Sequence, residues 1–408
     1  MSGAAPTAAG DPGGGERRPL GAAMAAEIAE TPAVVERALA AAAEWTGALR
    51  AALPAGLRGV ALTARGSSDH AAAYGRVLLE TALGVPAWST APSIATRYGL
   101  TTRLDGVLAI AVSQSGATPE IVTALERQRA GGAVTMAITN DPASPLARAA
   151  DVVAPLDAGV ETAVPATKTF TATLLAFALA ADALDGARDA SVATGSGATG
   201  SGVPASAATG FGAPASGAAR RVPLDAAAVS AAVRACVEDG DAVLPLAAAL
   251  AGSDVALHLG RGPLLPIARE AALKLIETTG TAQLAWSTVD VRHGPMALAR
   301  PDRPVLLHHA RGPVGDDARE VAALLSARGV PVHVIGDRLD VGAGAADGAG
   351  PSGADAAGLH VGVPGDLPEH LRPLVHAVRL QQLSLAVARE RGVDPDHPAG
   401  LSKVTATA

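Results

Sequence analysis

The stretch from Gly106 to Glu120, GVLAIAVSQSGATPE, sets a short apolar run directly before a cluster of small polar residues. The run VLAIAV has the length and composition of a buried strand, and Pro119 suits the first turn of a helix. Hydroxyl and amide groups between a strand and a helix N-terminus can bind an anion such as phosphate. The polar residues at this place are Ser113, Gln114, Ser115 and Thr118. Because serine and threonine also cap helices without any ligand, the pattern alone leaves both interpretations open.

Strand-like runs that lead through glycine or serine into a helical pattern recur along the first half of the chain. They are GVALTARGSS before Asp69–Leu83, GVLAIAVSQSG before Pro119–Ala130, and AVTMAITND before PASPLARAAD. Alternating segments of this spacing predict parallel strands with helices on both faces of the sheet. The first half is therefore predicted to be a doubly wound α/β domain, and Val164–Leu184 is predicted to be one long apolar helix.

The second half repeats this outline. ALTARGSSDHAAAYGRVLLE (61–80) and ALHLGRGPLLPIAREAALKLIE (256–277) share a strand, a glycine turn and a helix of small residues. We therefore predict an α/β fold of two doubly wound parallel-sheet domains related by internal duplication. Two Gly/Ala-rich segments have too few apolar side chains to form a core. The predicted organisation is a disordered tail (1–23), a first domain (24–188), a low-complexity insertion (189–220), a second domain (221–390) with a flexible loop (341–358), and a C-terminal tail (391–408).

Composition excludes several classes of function. The net charge is -7 and no cluster of Lys and Arg is present, which argues against binding to nucleic acid. The first residues contain no apolar segment that could form a signal peptide or cross a membrane, so we expect a cytoplasmic protein. Met24, where helical periodicity begins, is a plausible alternative translation start. Cys236 is the only cysteine, and we expect it to be a buried apolar side chain in a reducing compartment.

Lysine is rare in this chain. The 32 Lys+Arg residues include only the lysines Lys168, Lys274 and Lys403. Lysine can lose its proton and form a Schiff base with a carbonyl, whereas arginine stays charged. Retention of lysine at these positions therefore suggests chemistry, although so few residues can also be retained by chance. Lys274 and Glu277 lie three apart on a predicted helix, where they form either a surface ion pair or part of an acid–base site.

The chain resembles the double-SIS (sugar isomerase) domain family in motifs that occur in the same order. They are GSSDHAA (66–72), SQSGATPE (113–120), ATKTFT (166–171), EAALKLIE (270–277), RHGPMAL (292–298) and LSKVT (401–405). The family includes the isomerase half of glucosamine-6-phosphate synthase and the type II glucosamine-6-phosphate deaminases. The resemblance extends over residues 25–408, apart from the two low-complexity segments.

This resemblance implies a binding site for a sugar phosphate. The substrate-binding residues that it implies are Ser67, Ser68, Ser113, Gln114, Ser115, Thr118, Val164 and Ser402. The sequence departs from the synthase pattern at Ala166, where a serine is usual, and at Asp290, where a glutamate is usual. Because Ala166 offers no hydroxyl, one polar contact to the sugar is missing and the sugar preference stays open.

The resemblance also implies catalytic roles. Glu277 would move a proton between C1 and C2 of an open-chain sugar phosphate, and Lys274 would tune the charge of Glu277. Lys403 would form an imine with the keto carbon. His293 would assist ring opening in the active site of a neighbouring subunit, which implies a homodimer. We expect neither a metal nor a cofactor, because this proton transfer can proceed through an enediol or enamine with side chains alone.

The function predicted in this way is an amino-sugar-phosphate deaminase/isomerase. It would convert glucosamine 6-phosphate to fructose 6-phosphate and ammonia, or run in reverse with free ammonia. We expect no glutaminase domain, because its nucleophile would be an N-terminal cysteine and Cys236 lies mid-chain. Two alternatives stay open: the same chemistry on another phosphosugar, such as galactosamine or fructosamine phosphate, and a non-catalytic sugar-phosphate sensor. A sensor would need the anion-binding loop but neither Glu277 nor Lys403, so both residues favour an enzyme.

Overall fold

The chain folds into two α/β domains, each built on a five-stranded parallel sheet. The structure is a computed structural model that describes residues 18–185, 222–339 and 358–403. Three predicted segments lie largely outside these residues: the tail (1–23), the insertion (189–220) and the loop (341–358). None of the described helices is both long and apolar enough to cross a membrane.

In the first domain, two N-terminal helices precede an alternation of strands and helices. The elements are α1 (Ala22–Ala29), α2 (Thr31–Ala52), β1 (Gly59–Thr63), α3 (Ser67–Leu83), β2 (Ala87–Ser89), α4 (Ser93–Thr96), β3 (Val107–Val112), α5 (Pro119–Ala130), β4 (Val134–Thr139), α6 (Pro145–Ala149), β5 (Val152–Pro155) and α7 (Lys168–Leu184). Helix α5 has the predicted bounds. The long helix predicted from Val164 begins only at Lys168, because the preceding residues form a loop in which Thr167 hydrogen-bonds to Glu161.

The second domain repeats the alternation. Its elements are α8 (Ala226–Glu238), α9 (Leu244–Ala251), β6 (Val255–Gly260), α10 (Leu265–Thr279), β7 (Ala282–Ser287), β8 (Val305–His309), α11 (Gly315–Ser326), β9 (Val332–Gly336), β10 (His360–Gly362) and α12 (Arg372–Glu390). Short 3-10 helices connect some of them, including Gly262–Leu264 and Asp290–His293.

The two sheets have the same topology, which confirms the predicted duplication at the level of the fold. The strand order is β2-β1-β3-β4-β5 in the first sheet and β7-β6-β8-β9-β10 in the second. All pairs of neighbouring strands are parallel. In both sheets the order reverses beside the first strand, and such a reversal leaves a crevice at the carboxyl ends of the strands.

Helices α7 and α12 form the centre of the molecule, and one continuous apolar core includes residues of both domains. Every residue of α12 from Arg372 to Ala388 is buried. A helix buried on all sides must pair its polar groups internally. Accordingly, Arg379 Nε donates to Gly362 O at 2.9 Å, and Gln381 Nε2 donates across to Thr167 O of the first domain at 2.9 Å. Cys236 is buried in this core, and burial raises the pKa of its thiol to about 12.

The C-terminal tail is fastened to the start of α1. Asp396 accepts hydrogen bonds from the backbone N–H groups of Ala23 at 2.7 Å and Met24 at 2.9 Å, and Asp394 accepts one from Gly21 at 2.9 Å. Carboxylates are favoured at a helix N-terminus because the first N–H groups of a helix have no partner within it. These bonds hold the tail against the first domain and direct its end towards the first sheet.

Three buried histidines lie side by side in the second domain: His258 on β6, His308 on β8 and His376 on α12. The ring centroids of His258 and His308 are 5.8 Å apart, and those of His308 and His376 are 6.2 Å apart. Among the described residues, neither ring nitrogen of His308 or His376 has a hydrogen-bond partner. Burial lowers the pKa of His258 to about 4, and it lowers the pKa values of His308 and His376 well below their ordinary value. These rings are therefore neutral in the folded protein at pH 7.

We predict that these histidines make the protein sensitive to acid. Because folding lowers their pKa values, the unfolded chain binds protons below pH 6.5 that the folded chain does not, so the free energy of unfolding falls as the pH decreases. For His258 alone the loss is about 2 kcal/mol at pH 5. The free energy of unfolding, measured with urea at neutral and mildly acidic pH, should depend less steeply on pH in His376→Leu than in the wild type. The exposed His293→Gln should keep the wild-type dependence; an unchanged slope in His376→Leu would contradict this account.

Candidate active site

A cavity of about 390 Å³ opens at the carboxyl ends of β1 and β3, where the strand order of the first sheet reverses. The loops after these strands supply residues 65–68, residues 113–115 and Thr118 to its wall. Helix α10 of the second domain and the C-terminal tail supply the opposite wall. The cavity is therefore built from both domains and from the end of the described chain.

The loop after β3 is closed by its own small side chains. Ser113 Oγ accepts a hydrogen bond from the backbone N–H of Gly116 at 3.2 Å and lies 3.2 Å from Thr118 Oγ1. Ser115 Oγ accepts one from the N–H of Ala117 at 3.3 Å. Thr118 is the N-cap residue of α5, but its hydroxyl makes no capping hydrogen bond. Pro119 has no N–H, and the N–H groups of Ile121 and Val122 already bond to Thr118 O, so the loop hydroxyls are the main groups here that could bind an anion.

Gly116 is required by the geometry of this loop. Its φ is 61°, in the left-handed region that L-residues with a side chain rarely adopt. A Cβ atom at this position would lie 2.1 Å from Ser144 Oγ and 2.7 Å from Thr139 Oγ1. Only glycine lets the loop pack against α6 in this way.

The start of α3 forms the second helix N-terminus at the cavity. Ser67 and Ser68 are its first two residues, and Gly66 precedes them with φ 57°. The Ser67 hydroxyl hydrogen-bonds to Glu270 of α10, and His70 Nδ1 lies 2.7 Å from Glu270 Oε2. The anion-binding end of α3 is thereby joined directly to the second domain.

Lys274 places a buried ammonium between two carboxylates on α10. Its side chain is 1% exposed, and its Nζ lies 3.4 Å from Glu270 Oε1 and in hydrogen-bonding contact with Glu277 Oε2. Burial opposes the charged forms, but the pKa of Lys274 is raised and that of Glu270 is lowered by their mutual attraction. Burial raises the pKa of Glu277, and Lys274 only partly offsets this effect. Glu277 therefore binds a proton more readily than an ordinary glutamate, which suits a general base near neutral pH.

Lys403 reaches the cavity from the C-terminal tail. Its Nζ donates to Glu161 Oε2 at 2.7 Å, and the Glu161 side chain is fully buried. Burial alone would raise the pKa of Glu161, but Lys403 and hydrogen bonds from Thr169 lower it overall. Glu161 Oε1 also accepts from the backbone N–H groups of Thr167 and Thr169. The Glu161 carboxylate is thus also held in place by hydrogen bonds that do not involve Lys403.

The structure brings most of the predicted site residues together. Those that line the cavity are Ser67, Ser68, Ser113, Gln114, Ser115, Thr118, Val164, Lys274, Glu277, Ser402 and Lys403. Ala166 also lines it. His293 does not line it and is exposed in the 3-10 helix Asp290–His293. Lys168, the third lysine, lies outside the cavity lining and pairs with Glu30 at 2.5 Å.

Sequence reasoning missed three charged residues of the site. Glu161 and Glu270 are buried acids whose partners are distant in sequence, 242 residues away for Glu161 and Lys403, and 200 for Glu270 and His70. Arg65 lines the cavity and makes a two-bond ion pair with Glu120, at 3.1 and 3.0 Å. One signal in the sequence could have indicated Glu270: it lies one helical turn before Lys274, on the same face of the helix.

The cavity combines neutral anion-binding groups at one end with acids and amines at the other. Hydroxyls and the N-terminus of α3 can bind a phosphate, while Glu277 and Lys403 can exchange protons with a substrate. Within the described residues, no group of three or more His, Cys, Asp or Glu side chains is arranged to hold a metal ion.

Comparisons with known proteins identify relatives of the chain. Residues 58–183 match the family model of the SIS domain. Over 383 residues the chain is 31% identical to the glutamine–fructose-6-phosphate aminotransferase (isomerizing) of Methanothermobacter thermautotrophicus, and the match covers 93% of this chain and 56% of that protein. The chain spans about half the length of the curated relatives it matches.

Solved structures share the two-domain fold. A proposed phosphosugar isomerase from Silicibacter pomeroyi is 29% identical, with a TM-score of 0.71 over 91% of this chain and 99% of that chain. The glucosamine-6-phosphate deaminase of Thermotoga maritima is 20% identical, with a TM-score of 0.66 over 94% of this chain and 100% of that chain. The predicted double-SIS architecture is confirmed.

We predict that Gly116→Ala will disrupt the anion-binding loop. The added Cβ overlaps Ser144 and imposes a strained φ, so the free energy of unfolding should fall by about 2 kcal/mol or more. Gly99→Ala is the matched control, because Gly99 has φ 65° but no atom within 4 Å of the added Cβ. That change should cost only about 1 kcal/mol. Equal losses in urea unfolding would show that close packing at Gly116 is unimportant.

Proposed function

Because the chain is a SIS-domain protein with the fold of phosphosugar isomerases, we propose that it is an amino-sugar-phosphate deaminase/isomerase. The proposed reaction converts glucosamine 6-phosphate to fructose 6-phosphate and ammonia, or runs in reverse with free ammonia. The proposal depends above all on the convergence of Glu277, Lys274 and Lys403 on the cavity that also contains the anion-binding loop. An open-chain hexose 6-phosphate needs an anion site at one end and proton transfer at C1 and C2 at the other.

The phosphate is proposed to bind between the N-termini of α3 and α5. Ser68, Ser115 and Thr118 would donate hydroxyl hydrogens, and the backbone N–H groups of Ser67 and Ser68 at the start of α3 would add further donors. The nearby Arg65 is already paired with Glu120, so most of the stabilisation would come from dipoles and hydroxyls.

Glu277 is proposed to be the base. It takes the proton from C2 of the open-chain amino aldose, the C–H electron pair forms the C1–C2 double bond of an enaminol, and the C1 oxygen takes up a proton that the ammonium group of the substrate gives up. Glu277 then returns the proton to C1, and the nitrogen is left in an imine at C2. The raised pKa of Glu277 favours this exchange, and buried Lys274 keeps its charge beside the carboxylate throughout.

Lys403 is proposed to release the ammonia. Its neutral amine attacks C2 of the imine, the substrate nitrogen leaves as ammonia, and Lys403 is left as an imine that water hydrolyses to the ketose phosphate. Lys403 would lose its proton to the substrate nitrogen, and the carboxylate of Glu161, 2.7 Å from Lys403 Nζ, would stabilise the protonated imine.

His293 is proposed to act in a homodimer. The family resemblance assigns it to ring opening in the neighbouring subunit's site. Its exposed position outside the cavity of its own chain supports that assignment.

A related phosphosugar such as galactosamine 6-phosphate is the second candidate substrate. The observation that favours it is Ala166, which lines the cavity and offers no hydroxyl to select among the sugar's hydroxyl groups.

We predict that Glu277→Gln abolishes ammonia release from glucosamine 6-phosphate. The amide cannot accept a proton, so turnover should fall by about 100-fold or more, while binding of the sugar phosphate persists. Glu126→Gln, on the exposed face of α5, is the control and should retain wild-type turnover. Galactosamine 6-phosphate is tested in parallel, with ammonia measured by a coupled assay. Sugar-phosphate binding with no turnover of either sugar by the wild type would favour a sensor, and full turnover by Glu277→Gln would reject Glu277 as the base.

We predict that Lys403 forms a covalent adduct with the ketose phosphate. Incubation with fructose 6-phosphate and cyanoborohydride should reduce the imine, and mass spectrometry should find the adduct on Lys403. Lys403→Arg keeps the positive charge beside Glu161 but cannot form an imine, so it should give no adduct. An adduct on Lys274 instead, or an equal yield from Lys403→Arg, would contradict the assignment.

A further inference from the structure

A second cavity of about 360 Å³ lies between β2, α4 and the C-terminal half of α5. It shares no lining residue with the candidate active site. Its walls are mostly apolar and include Trp88, Ile94, Leu100, Leu104 and Ala124. A chamber of this volume with apolar walls and a few polar groups is typical of a small-molecule site.

A chain of hydrogen bonds leads from the protein interior to this cavity. Buried Gln128 donates from Nε2 to Thr63 Oγ1 at 2.9 Å, and Thr63 Oγ1 lies 2.7 Å from Thr90 Oγ1. Because Thr63 is fully buried and accepts from Gln128, its own hydrogen is best placed on Thr90. The Thr90 hydroxyl hydrogen is then free to be donated into the cavity, which Thr90 lines.

Gln128 also provides an unpaired acceptor. The residue is 9% exposed and lines the cavity, and its Oε1 is buried without a hydrogen-bond partner in the described part of the chain. An unsatisfied buried amide oxygen costs about 1–3 kcal/mol. This oxygen is sealed from the cavity in the conformation described, so a ligand N–H or O–H reaches it only if the Gln128 amide rotates.

Arg127 supplies a positive charge at the rim. Its side chain makes one long hydrogen bond, 3.4 Å to Thr101 Oγ1, and no carboxylate among the described residues forms an ion pair with it. Arg129, two residues further along α5, contrasts with it because Arg129 is paired with Asp151 at 2.5 Å and does not line the cavity.

We propose that this second cavity binds a small organic acid with an aromatic or branched aliphatic body. The acid group is held by Arg127 and by the Thr90 hydroxyl, and the apolar body fills the chamber. Helix α5 joins the two sites: Thr118 lines the first cavity and Arg127 lines the second, about 14 Å apart along the helix axis. The two sites can therefore be occupied together, and this inference does not depend on the proposed function.

The test uses anilinonaphthalene sulfonate, which carries an anionic group, two aromatic ring systems and one N–H. Calorimetry and quenching of Trp88 fluorescence should show saturable binding at one site per chain. Arg127→Gln should weaken binding about fivefold or more, since it removes a charged hydrogen bond, and Thr90→Val should weaken it while keeping the shape. Arg129→Gln is the matched control and should bind as the wild type does.

Ala95→Trp, which fills the mouth of the cavity from α4, should abolish binding in a protein that still melts cooperatively. Binding that survives saturation with fructose 6-phosphate supports a site separate from the active site. Absence of saturable binding by the wild type, or equal affinity in all variants, would overturn the proposal. Conversion of a dimer to a monomer by Ala95→Trp would also overturn it, because the cavity would then belong to a subunit interface.

Discussion

The buried ammonium of Lys274 is the interaction on which the site and the domain arrangement depend. An ion with 1% exposure is tolerated only when opposite charges surround it, and Glu270 and Glu277 provide them from the turns on either side. The Glu270 carboxylate also hydrogen-bonds to the side chains of Ser67 and His70 of α3. Separating helix α10 from α3 would therefore break the contacts of this buried carboxylate with Ser67 and His70. The contact that joins the two domains is also the contact that positions the proposed base.

The two copies of the fold contribute different parts to the cavity. Gly66 and Gly262 occupy equivalent turns with φ 57° and 53°, and the arginine before each forms an ion pair with an acid on the helix that follows the third strand of its sheet. The residues after these glycines differ: Ser67 and Ser68 line a cavity, whereas Pro263 and Leu264 are buried. The second domain thus has the same turn without the hydroxyls, and it contributes α10 to the cavity.

The sequence predicted what local periodicity and small-residue loops can report. The alternation of strands and helices, the bounds of α5 and the position of the polar loop at Ser113 follow from patterns within a few residues. The buried acids Glu161 and Glu270 could not be found in this way, because their roles depend on partners 200 or more residues away. The start of α7 was misjudged for the same reason, since the carboxylate of Glu161 holds the preceding residues in a loop. Buried polar networks are specified by tertiary contacts, which a single sequence does not display.

The hydrogen bonds between Asp396 and the first turn of α1 affect how the protein unfolds on heating. The segment that carries Lys403 is anchored a few residues upstream, where Asp396 accepts hydrogen bonds from Ala23 and Met24 at the start of α1. Terminal helices open locally at a lower free-energy cost than a buried core does. Fraying of α1 would release Lys403 while both sheets remain intact. The temperature at which the proposed activity is lost would then be set by these hydrogen bonds, below the temperature at which the core melts.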